Sequence, residues 1–294
     1  MVKTKKDYIY QGILNVAFII ICAAILFPLL LTISASFSRE RDIADFGYSI
    51  IPRTFSLEAY KFIFKNPASI LQAYKVTAIF SVVYTVLSVF MMACLAFALS
   101  KRYLPGKRQI SFFVYFTQLF SGGLVPTYIL ITQYLNLGDT IWVYILPGLV
   151  SPWYVFMMRT FFQGIPYEIT EAATVDGADE YYIFFKLILP LSKPVIAAVA
   201  LFQLLASWNN WYTSMLYINK DKLYSLQYML QRIMNNMQML RERQDMQLNL
   251  ESVDIPAETV RMAMAVIVAG PALLVFPFFQ KYFVKGMTVG SVKG

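Results

Sequence analysis

The chain has 294 residues, of which 58% are hydrophobic and only 14% are charged. This composition excludes an ordinary soluble domain, and the long uncharged runs predict a polytopic membrane protein. There is no histidine, which removes the commonest metal ligand and general base, so we expect neither a metal site nor a catalytic site. The net charge of +8 would suit nucleic acid, but the bases lie between apolar runs, so we expect no nucleic acid partner.

Six apolar runs are of a length to cross a bilayer, which takes about 20 residues. They predict an all-α protein with one transmembrane domain over residues 1–294, surrounded by membrane lipid. The predicted spans are 11–36, 76–100, 110–134, 140–158, 195–218 and 260–283. Glycines and prolines within the third, fourth and sixth runs indicate kinked or broken helices. Lipid tolerates such helices only where protein or a cavity covers the backbone.

The distribution of lysine and arginine predicts the orientation of these spans. The short loop after span 2 has four bases and no acid: Lys101, Arg102, Lys107 and Arg108. The side that holds both termini and the loop 159–194 has 13 bases and 6 acids, against 12 bases and 11 acids on the other side. The positive-inside rule therefore places the termini and the loop 159–194 in the cytoplasm, and the loops 39–75 and 219–259 outside.

The loop 159–194 is predicted to form two short helices separated by a glycine. The first helix begins with residues that suit a helix N-terminus: Pro166, Glu168 and Glu171. Gly177 suits the left-handed residue that ends such a helix, Asp179 can cap the next helix, and Pro190 is expected to stop it. Ala172 and Ala173 leave one face nearly flat, so the first helix can approach a partner's backbone closely.

Spaced residues in this loop resemble the EAA loop of ABC-importer permeases: Glu171, Ala172, Ala173, Asp176, Gly177, Ala178, Leu189 and Pro190. The fuller pattern is similar to the carbohydrate-uptake branch, the maltose-permease-like superfamily, although Leu187 stands where that family more often has isoleucine. The resemblance implies a type I importer permease fold in the bacterial cytoplasmic membrane. It also implies that the loop contains a coupling helix that fits a cleft of a cytosolic ATPase. An ordinary amphipathic surface loop is the alternative interpretation.

The same resemblance implies a set of partners: a cytosolic ABC ATPase dimer, a second homologous permease, an extracytoplasmic sugar-binding protein and an oligosaccharide. The chain has no G-x-x-x-x-G-K-[ST] sequence, so we expect it to bind no cofactor and to hydrolyse no ATP. ATP and Mg would be bound by the ATPase subunits. The segment Gly122–Tyr128 also resembles the oligosaccharide and lipo-polysaccharide permease subgroup, and this favours an oligosaccharide substrate, including an acidic one such as a uronate oligomer.

Predicted span 5 contains a polar and aromatic group that is a candidate substrate path: Trp208, Asn209, Asn210, Trp211 and Tyr212. Adjacent amides inside a span are costly against lipid and should face protein or water. Aromatic faces can stack on sugar C–H surfaces, and amides can exchange hydrogen bonds with hydroxyls. The alternative is helix–helix packing in which the amides join helices. Gln118 and Tyr128 on span 3 are weaker candidates for the same path.

Two other classes of protein compete with the importer interpretation. A secondary transporter or channel for a polar solute often buries ionisable groups in its spans, but the cores of these six spans contain none. A membrane-embedded enzyme would need a histidine, paired intramembrane carboxylates or a nucleophile motif, which the sequence lacks. Purification with or without a bound ATPase would separate the importer from the first alternative.

Overall fold

The computed structural model describes residues 5–65, 67–246 and 256–290, with side chains over 10–65, 67–239 and 256–280. Within these ranges the regular elements are helices, apart from one antiparallel bridge between Ser38 and Phe55, so the all-α prediction is confirmed. The helices are α1 (Lys5–Ser36), α2 (Glu40–Phe46), α3 (Glu58–Ile63), α4 (Pro67–Ser100), α5 (Lys107–Leu119), α6 (Leu124–Ile129), α7 (Trp142–Ile145), α8 (Pro152–Gln163), α9 (Tyr167–Val175), α10 (Glu180–Tyr182), α11 (Leu189–Leu191), α12 (Lys193–Trp208), α13 (Tyr212–Tyr217), α14 (Leu226–Met246) and α15 (Ala257–Gly290).

Three helices among the described residues are long and apolar enough to cross a membrane: Tyr10–Ser36 in α1, Pro67–Ser100, which is α4, and Ala257–Gln280 in α15. Two bent pairs also qualify if each pair is one span. In the first pair, α5 meets Leu124–Tyr134 at 109°, and in the second, Glu180–Leu191 meets α12 at 79°. The π-helical turns Leu130–Tyr134 and Ile183–Ile188 belong to these pairs.

Local backbone breaks divide three of the predicted spans, of which 110–134 is divided at residues 120–123, between α5 and α6. The predicted span 140–158 consists of two helices, α7 and α8, which are separated by Gly148 with a left-handed φ of 78°. The predicted span 195–218 is divided at residues 209–211, between α12 and α13. Glycines and prolines indicated the breaks in 110–134 and 140–158, whereas the run 195–218 contains neither residue and gave no sign of its break.

The loops predicted as 39–75 and 219–259 contain helices of their own. α2, α3 and the start of α4 lie in the first loop, because α4 begins at Pro67 rather than near 76. Pro67 fits a first helical turn, and Lys75 lies within the helix rather than before it. α14 occupies much of the second loop, of which residues 247–255 lie outside the described part of the chain.

The chain divides into two compact units, Met1–Pro67 with Leu230–Gly270, and Ala68–Met229 with Pro271–Gly294. In the first unit, the Glu40 carboxylate accepts hydrogen bonds from the backbone N–H groups of Glu258 and Thr259, both at 2.9 Å, and from the Thr259 hydroxyl at 2.7 Å. These amides start α15 and have no partner within that helix, so Glu40 caps it from a distant part of the sequence. Phe37 stacks on Phe55 and Tyr60 nearby.

The second unit contains a buried apolar group that we call the core cluster. Its members come from α4, α8, the π-helical turn Ile183–Ile188 and α12: Met92, Ala93, Ala96, Leu99, Val155, Met158, Phe162, Ile183, Phe184, Ile188, Val195 and Val199. Burial of apolar side chains stabilises such a cluster by about 25 cal/mol per Å². Four of these members belong to the loop 159–194 (Phe162, Ile183, Phe184 and Ile188), so the core cluster positions that loop.

Candidate functional site

The loop 159–194, hereafter the coupling loop, turns sharply at Gly177. The backbone N–H of Ala178 donates to Ala173 O at 2.9 Å, and that of Gly177 donates to Thr174 O at 3.0 Å. This pair of hydrogen bonds is the Schellman motif, which requires a left-handed residue after the helix. Gly177 has a φ of 86°, so the predicted conformation of this glycine is confirmed.

The motif residues of the coupling loop divide into an inner and an outer set. The inner set packs against the core cluster: Ala173, Ala178, Leu187 and Leu189. The outer set is exposed: Glu171, Ala172, Asp176, Gly177 and Pro190. The inner residues thus fix the loop to the protein, and the outer residues leave one face of α9 open to a partner. The role of these residues in ATPase coupling stays a prediction.

The helix ends in the coupling loop agree in part with those predicted from the sequence. Asp179 caps the second helix as predicted, because its carboxylate accepts the Tyr182 N–H at 2.7 Å. Pro166 precedes α9 rather than opening it, and only Glu168 lies in the first turn. The second helix runs through a π-helical turn and ends at Leu191, one residue after Pro190, so the predicted stop at Pro190 agrees with the structure. A π turn displaces the usual hydrogen-bond pairs, and this suits a residue without an N–H group.

A second segment contacts the coupling loop, and sequence reasoning assigned it only to topology. This segment, which we call the basic loop, is residues 101–108: the connection 101–106 between α4 and α5, and the first two residues of α5. Lys101 Nζ lies 2.5 Å from Glu180 Oε2, and the Arg102 guanidinium lies over the Tyr167 ring at 4.6 Å from its centroid. A cavity of about 510 Å³ lies beside the Arg102–Tyr167 contact, between the basic loop and the first part of the coupling loop. The sequence could have indicated this contact, because the basic loop contains bases and no acid whereas the coupling loop contains more acids than bases.

The candidate substrate residues lie at the break between α12 and α13. Asn209 Nδ2 donates to Leu205 O at 2.9 Å, and Asn209 Oδ1 accepts from Gln227 Nε2 at 2.9 Å. Asn210 Oδ1 accepts the Thr213 N–H at 3.1 Å and so caps α13. Both amides therefore have partners within the chain, but of these three hydrogen bonds only that between Asn209 and Gln227 links the end of α12 to α14.

The aromatic candidates differ in their surroundings. Trp208 is half-buried and its ring lies 6.3 Å from that of Tyr74, whereas Trp211 and Tyr212 are 42% and 44% exposed. Tyr128 stacks on Tyr217 of α13 at 5.6 Å, which brings it to the same region of the unit. Gln118 is exposed on α5 and does not join this group. Whether any of these residues contacts a substrate stays a prediction.

A buried polar network lies beneath the break at 209–211, and the sequence analysis missed it. Tyr144 hydrogen-bonds Ser214 and donates to Leu223 O at 2.8 Å. Ser214 is joined to Ser225, whose hydroxyl donates to Asn210 O at 2.9 Å. Scattered serines and a tyrosine carry no spacing signal, because their partners are distant in sequence. The network fixes the backbone on which Trp211 and Tyr212 are carried.

Comparison with known proteins assigns the chain to a family. Residues 65–289 match the family described as "Binding-protein-dependent transport system inner membrane component". The chain belongs to this family. The permease is 37% identical over 295 residues to the protein LplC of Bacillus subtilis, covering 100% of this chain and 98% of LplC.

Two further similarities concern proteins whose names state a substrate. The permease is 37% identical over 291 residues to the polygalacturonan/rhamnogalacturonan transport system permease protein YtcP of Bacillus subtilis, covering 98% of each chain. It aligns with a chain in the crystal structure of a bacterial ABC transporter involved in the import of the acidic polysaccharide alginate, with a TM-score of 0.78 and 25% identity, over 96% of this chain and 99% of that chain. The permease is therefore a multi-pass membrane component of an ABC importer, with the type I importer permease fold.

The permease stabilises its break at 147–151 with donors from α4. Tyr84 donates its hydroxyl to Gly148 O at 2.9 Å, and Ser88 donates to Leu149 O at 2.7 Å. Gln203 of α12 in turn donates to Ser88 Oγ at 2.9 Å. Carbonyls freed by a helix break need such partners inside a membrane, because lipid offers none. This explains how a predicted span can contain two short helices.

Proposed function

We propose that this permease subunit imports an oligosaccharide derived from an acidic polysaccharide, driven by ATP hydrolysis in separate subunits. The coupling loop is the single observation that carries the proposal. Its inner residues are fixed to the core cluster, and its outer face is open between Glu171 and Gly177. A small-residue helix mounted in this way suits the cleft of a cytosolic ATPase dimer, which would bind the ATP and Mg. The permease itself would hydrolyse no ATP.

The proposal includes two more partners and an orientation. A second homologous permease would complete the path across the membrane, and an extracytoplasmic sugar-binding protein would deliver the substrate. The lysine and arginine distribution supports cytoplasmic termini and a cytoplasmic coupling loop. A stand-alone secondary transporter or channel is less well supported, because it would have no use for a docking loop of this geometry.

Trp211 and Tyr212 are the residues that we assign to substrate contact. Their side chains are half exposed, and the buried network from Tyr144 to Asn210 holds their backbone in place. An aromatic platform beside fixed polar groups is the usual composition of a small-molecule site. The names of the relatives, which include polygalacturonan and alginate importers, favour a uronate oligomer.

The test uses the complex that co-purifies with the permease, reconstituted in liposomes with its binding protein. Oligogalacturonates of defined length should stimulate ATP hydrolysis. In Trp211→Ala the half-saturating concentration should rise about fivefold to tenfold, which corresponds to an aromatic contact of about 1 kcal/mol. Trp211→Phe should retain most of the stimulation, since it keeps an aromatic face.

Trp153→Ala is the matched control, because it removes another exposed tryptophan, on α8. It should leave stimulation unchanged. If Trp211→Ala matches the wild type, the substrate contact belongs to the second permease. If no uronate or neutral oligosaccharide stimulates hydrolysis by the wild-type complex, the proposed function is wrong.

A further inference from the structure

We propose that the basic loop clamps the coupling loop and transmits its movement to α4, with Lys101 and Arg102 as the positioning residues. The inference rests on the proposed function, because it concerns how the coupling loop acts. It assigns a role in transport to a loop whose bases otherwise only set topology.

The two contacts hold the coupling loop on both sides of Gly177. Tyr167 is the first residue of α9, and Arg102 lies over its ring. Glu180 is the first residue of α10, and Lys101 pairs with its carboxylate. Movement of either helix therefore displaces the same two-residue segment. A contact to one helix alone would allow the turn at Gly177 to absorb the movement.

The basic loop is itself anchored, so it can transmit a displacement. The Lys101 side chain is only 28% exposed and its ammonium lies over the Phe97 ring at 4.5 Å from the centroid. Lys107 Nζ donates to Lys101 O at 2.7 Å, and Gly106 adopts a left-handed φ of 70°. The loop is thus closed on itself, with Lys101 directly following α4.

α4 connects this clamp to the region of the candidate substrate residues. From Thr77 to Ser100 the helix is continuous, a length of about 35 Å at 1.5 Å per residue. Thr77 Oγ1 accepts the Leu226 N–H at 2.8 Å, and Ser225 beside it donates to Asn210 O at 2.9 Å. Tyr84 and Ser88 bind the break at 147–151 on the way. One helix therefore contacts the coupling loop at one end and the polar network at the other.

The competing explanation is that the core cluster alone moves α4. Exposed ion pairs contribute little to stability, and Glu180 is largely exposed. The two explanations differ in what a charge change would do. If the core cluster suffices, removing the clamp changes neither stability nor transport. If the clamp transmits movement, its removal leaves the global stability the same, loosens the coupling loop locally and lowers transport per ATP.

The test is a charge-swap series in the reconstituted complex: Lys101→Glu, Glu180→Lys and the double variant. We expect uptake per ATP hydrolysed to fall at least fivefold in each single variant, with assembly and basal hydrolysis retained, and to recover to within twofold in the double variant. Tyr167→Leu should uncouple, whereas Tyr167→Phe should not, because it keeps the ring under Arg102. Arg108→Gln is the control, since it removes an exposed base from the same loop.

Wild-type uptake per ATP in Lys101→Glu, or a double variant as impaired as the single variants, would overturn the inference. Hydrogen exchange on the isolated full chain separates this result from a failure of the proposed function, because it needs neither ATPase nor substrate. The rate of hydrogen exchange over residues 167–182 should rise severalfold in Lys101→Glu and return to the wild-type rate in the double variant. Unchanged exchange overturns the clamp even if the wild-type complex transports oligosaccharide.

Discussion

At the scale of single residues, the conformation of Gly177 decides the geometry of the coupling loop. Among the described residues other than Gly177 and its two chain neighbours, no atom lies within 4 Å of the position that a Cβ would take, so an added Cβ there costs backbone strain rather than a clash. A left-handed conformation costs a β-branched residue about 1–2 kcal/mol or more. We predict that Gly177→Val lowers uptake and co-purification of the ATPase, measured on the same preparation.

Gly177→Asn separates conformation from size, since asparagine enters the left-handed region more easily than other side chains. It should retain most of the uptake that Gly177→Val loses. Equal loss in both variants would contradict the conformational explanation and would show instead that the partner tolerates no side chain at this position.

Sequence reasoning was most accurate for residues with a local role. Gly177 and Asp179 act through hydrogen bonds to the next few residues, so their types and spacing sufficed. Asn209 and Asn210 were correctly singled out as amides that need partners. Those partners include Gln227, which a sequence pattern cannot place beside Asn209. The sequence therefore predicted that these two amides need hydrogen-bond partners, but it could not predict which residues those partners are.

At the scale of elements, Asp139 joins the turn before α7 to the segment after α13. Its carboxylate accepts the backbone N–H of Asn219 at 2.5 Å and that of Lys220 at 3.1 Å. These hydrogen bonds, that of Asn219 foremost, lower the pKa of Asp139 below its ordinary value. Because the folded-state pKa is depressed, the stabilisation is fully present above the unfolded pKa of about 3.9 and is lost as the pH falls through the lower folded value.

We predict that Asp139→Ala lowers the melting temperature of the detergent-solubilised permease at pH 7. The difference from the wild type should persist down to about pH 4 and shrink only below it. Asp139→Asn is the control, because its amide oxygen still accepts a hydrogen bond. Its melting temperature should lie between those of the wild type and Asp139→Ala. A difference that disappears between pH 8 and pH 6 would mean that another group titrates.

The elements themselves show where sequence patterns stop being informative. α1 and α15 were predicted within a few residues in their apolar parts, since a long uncharged run leaves no alternative to a helix. α4 begins at Pro67 rather than near residue 76. The prediction took Lys75 as the start of the helix, but a charged residue indicates only where the bilayer ends, and a helix can continue beyond it. Glycine and proline marked the break at Gly148 in the sequence, but its stabilising donors, Tyr84 and Ser88, could not be inferred because they lie about sixty residues away.

At the scale of the whole molecule, the orientation in the membrane decides whether the coupling loop can meet a cytosolic ATPase. The distribution of lysine and arginine supports a cytoplasmic coupling loop, and cysteine labelling can test this orientation on the intact chain. Cys22 and Cys94 are free thiols and would first be replaced by alanine. Val175 in the coupling loop and Ile51 in the first polar loop are 82% and 78% exposed, so cysteines there should react without disturbing packing.

In intact cells, a membrane-impermeant maleimide should label Ile51→Cys and leave Val175→Cys unlabelled. In inverted vesicles prepared without the ATPase, which would cover Val175, the result should reverse, because the cytoplasmic face of the membrane then faces the reagent. A permeant maleimide provides the control, since it should label both variants in both preparations. Labelling of Val175→Cys from outside would place the coupling loop away from ATP, and a cytosolic ATPase could then neither dock on the loop nor act through the clamp.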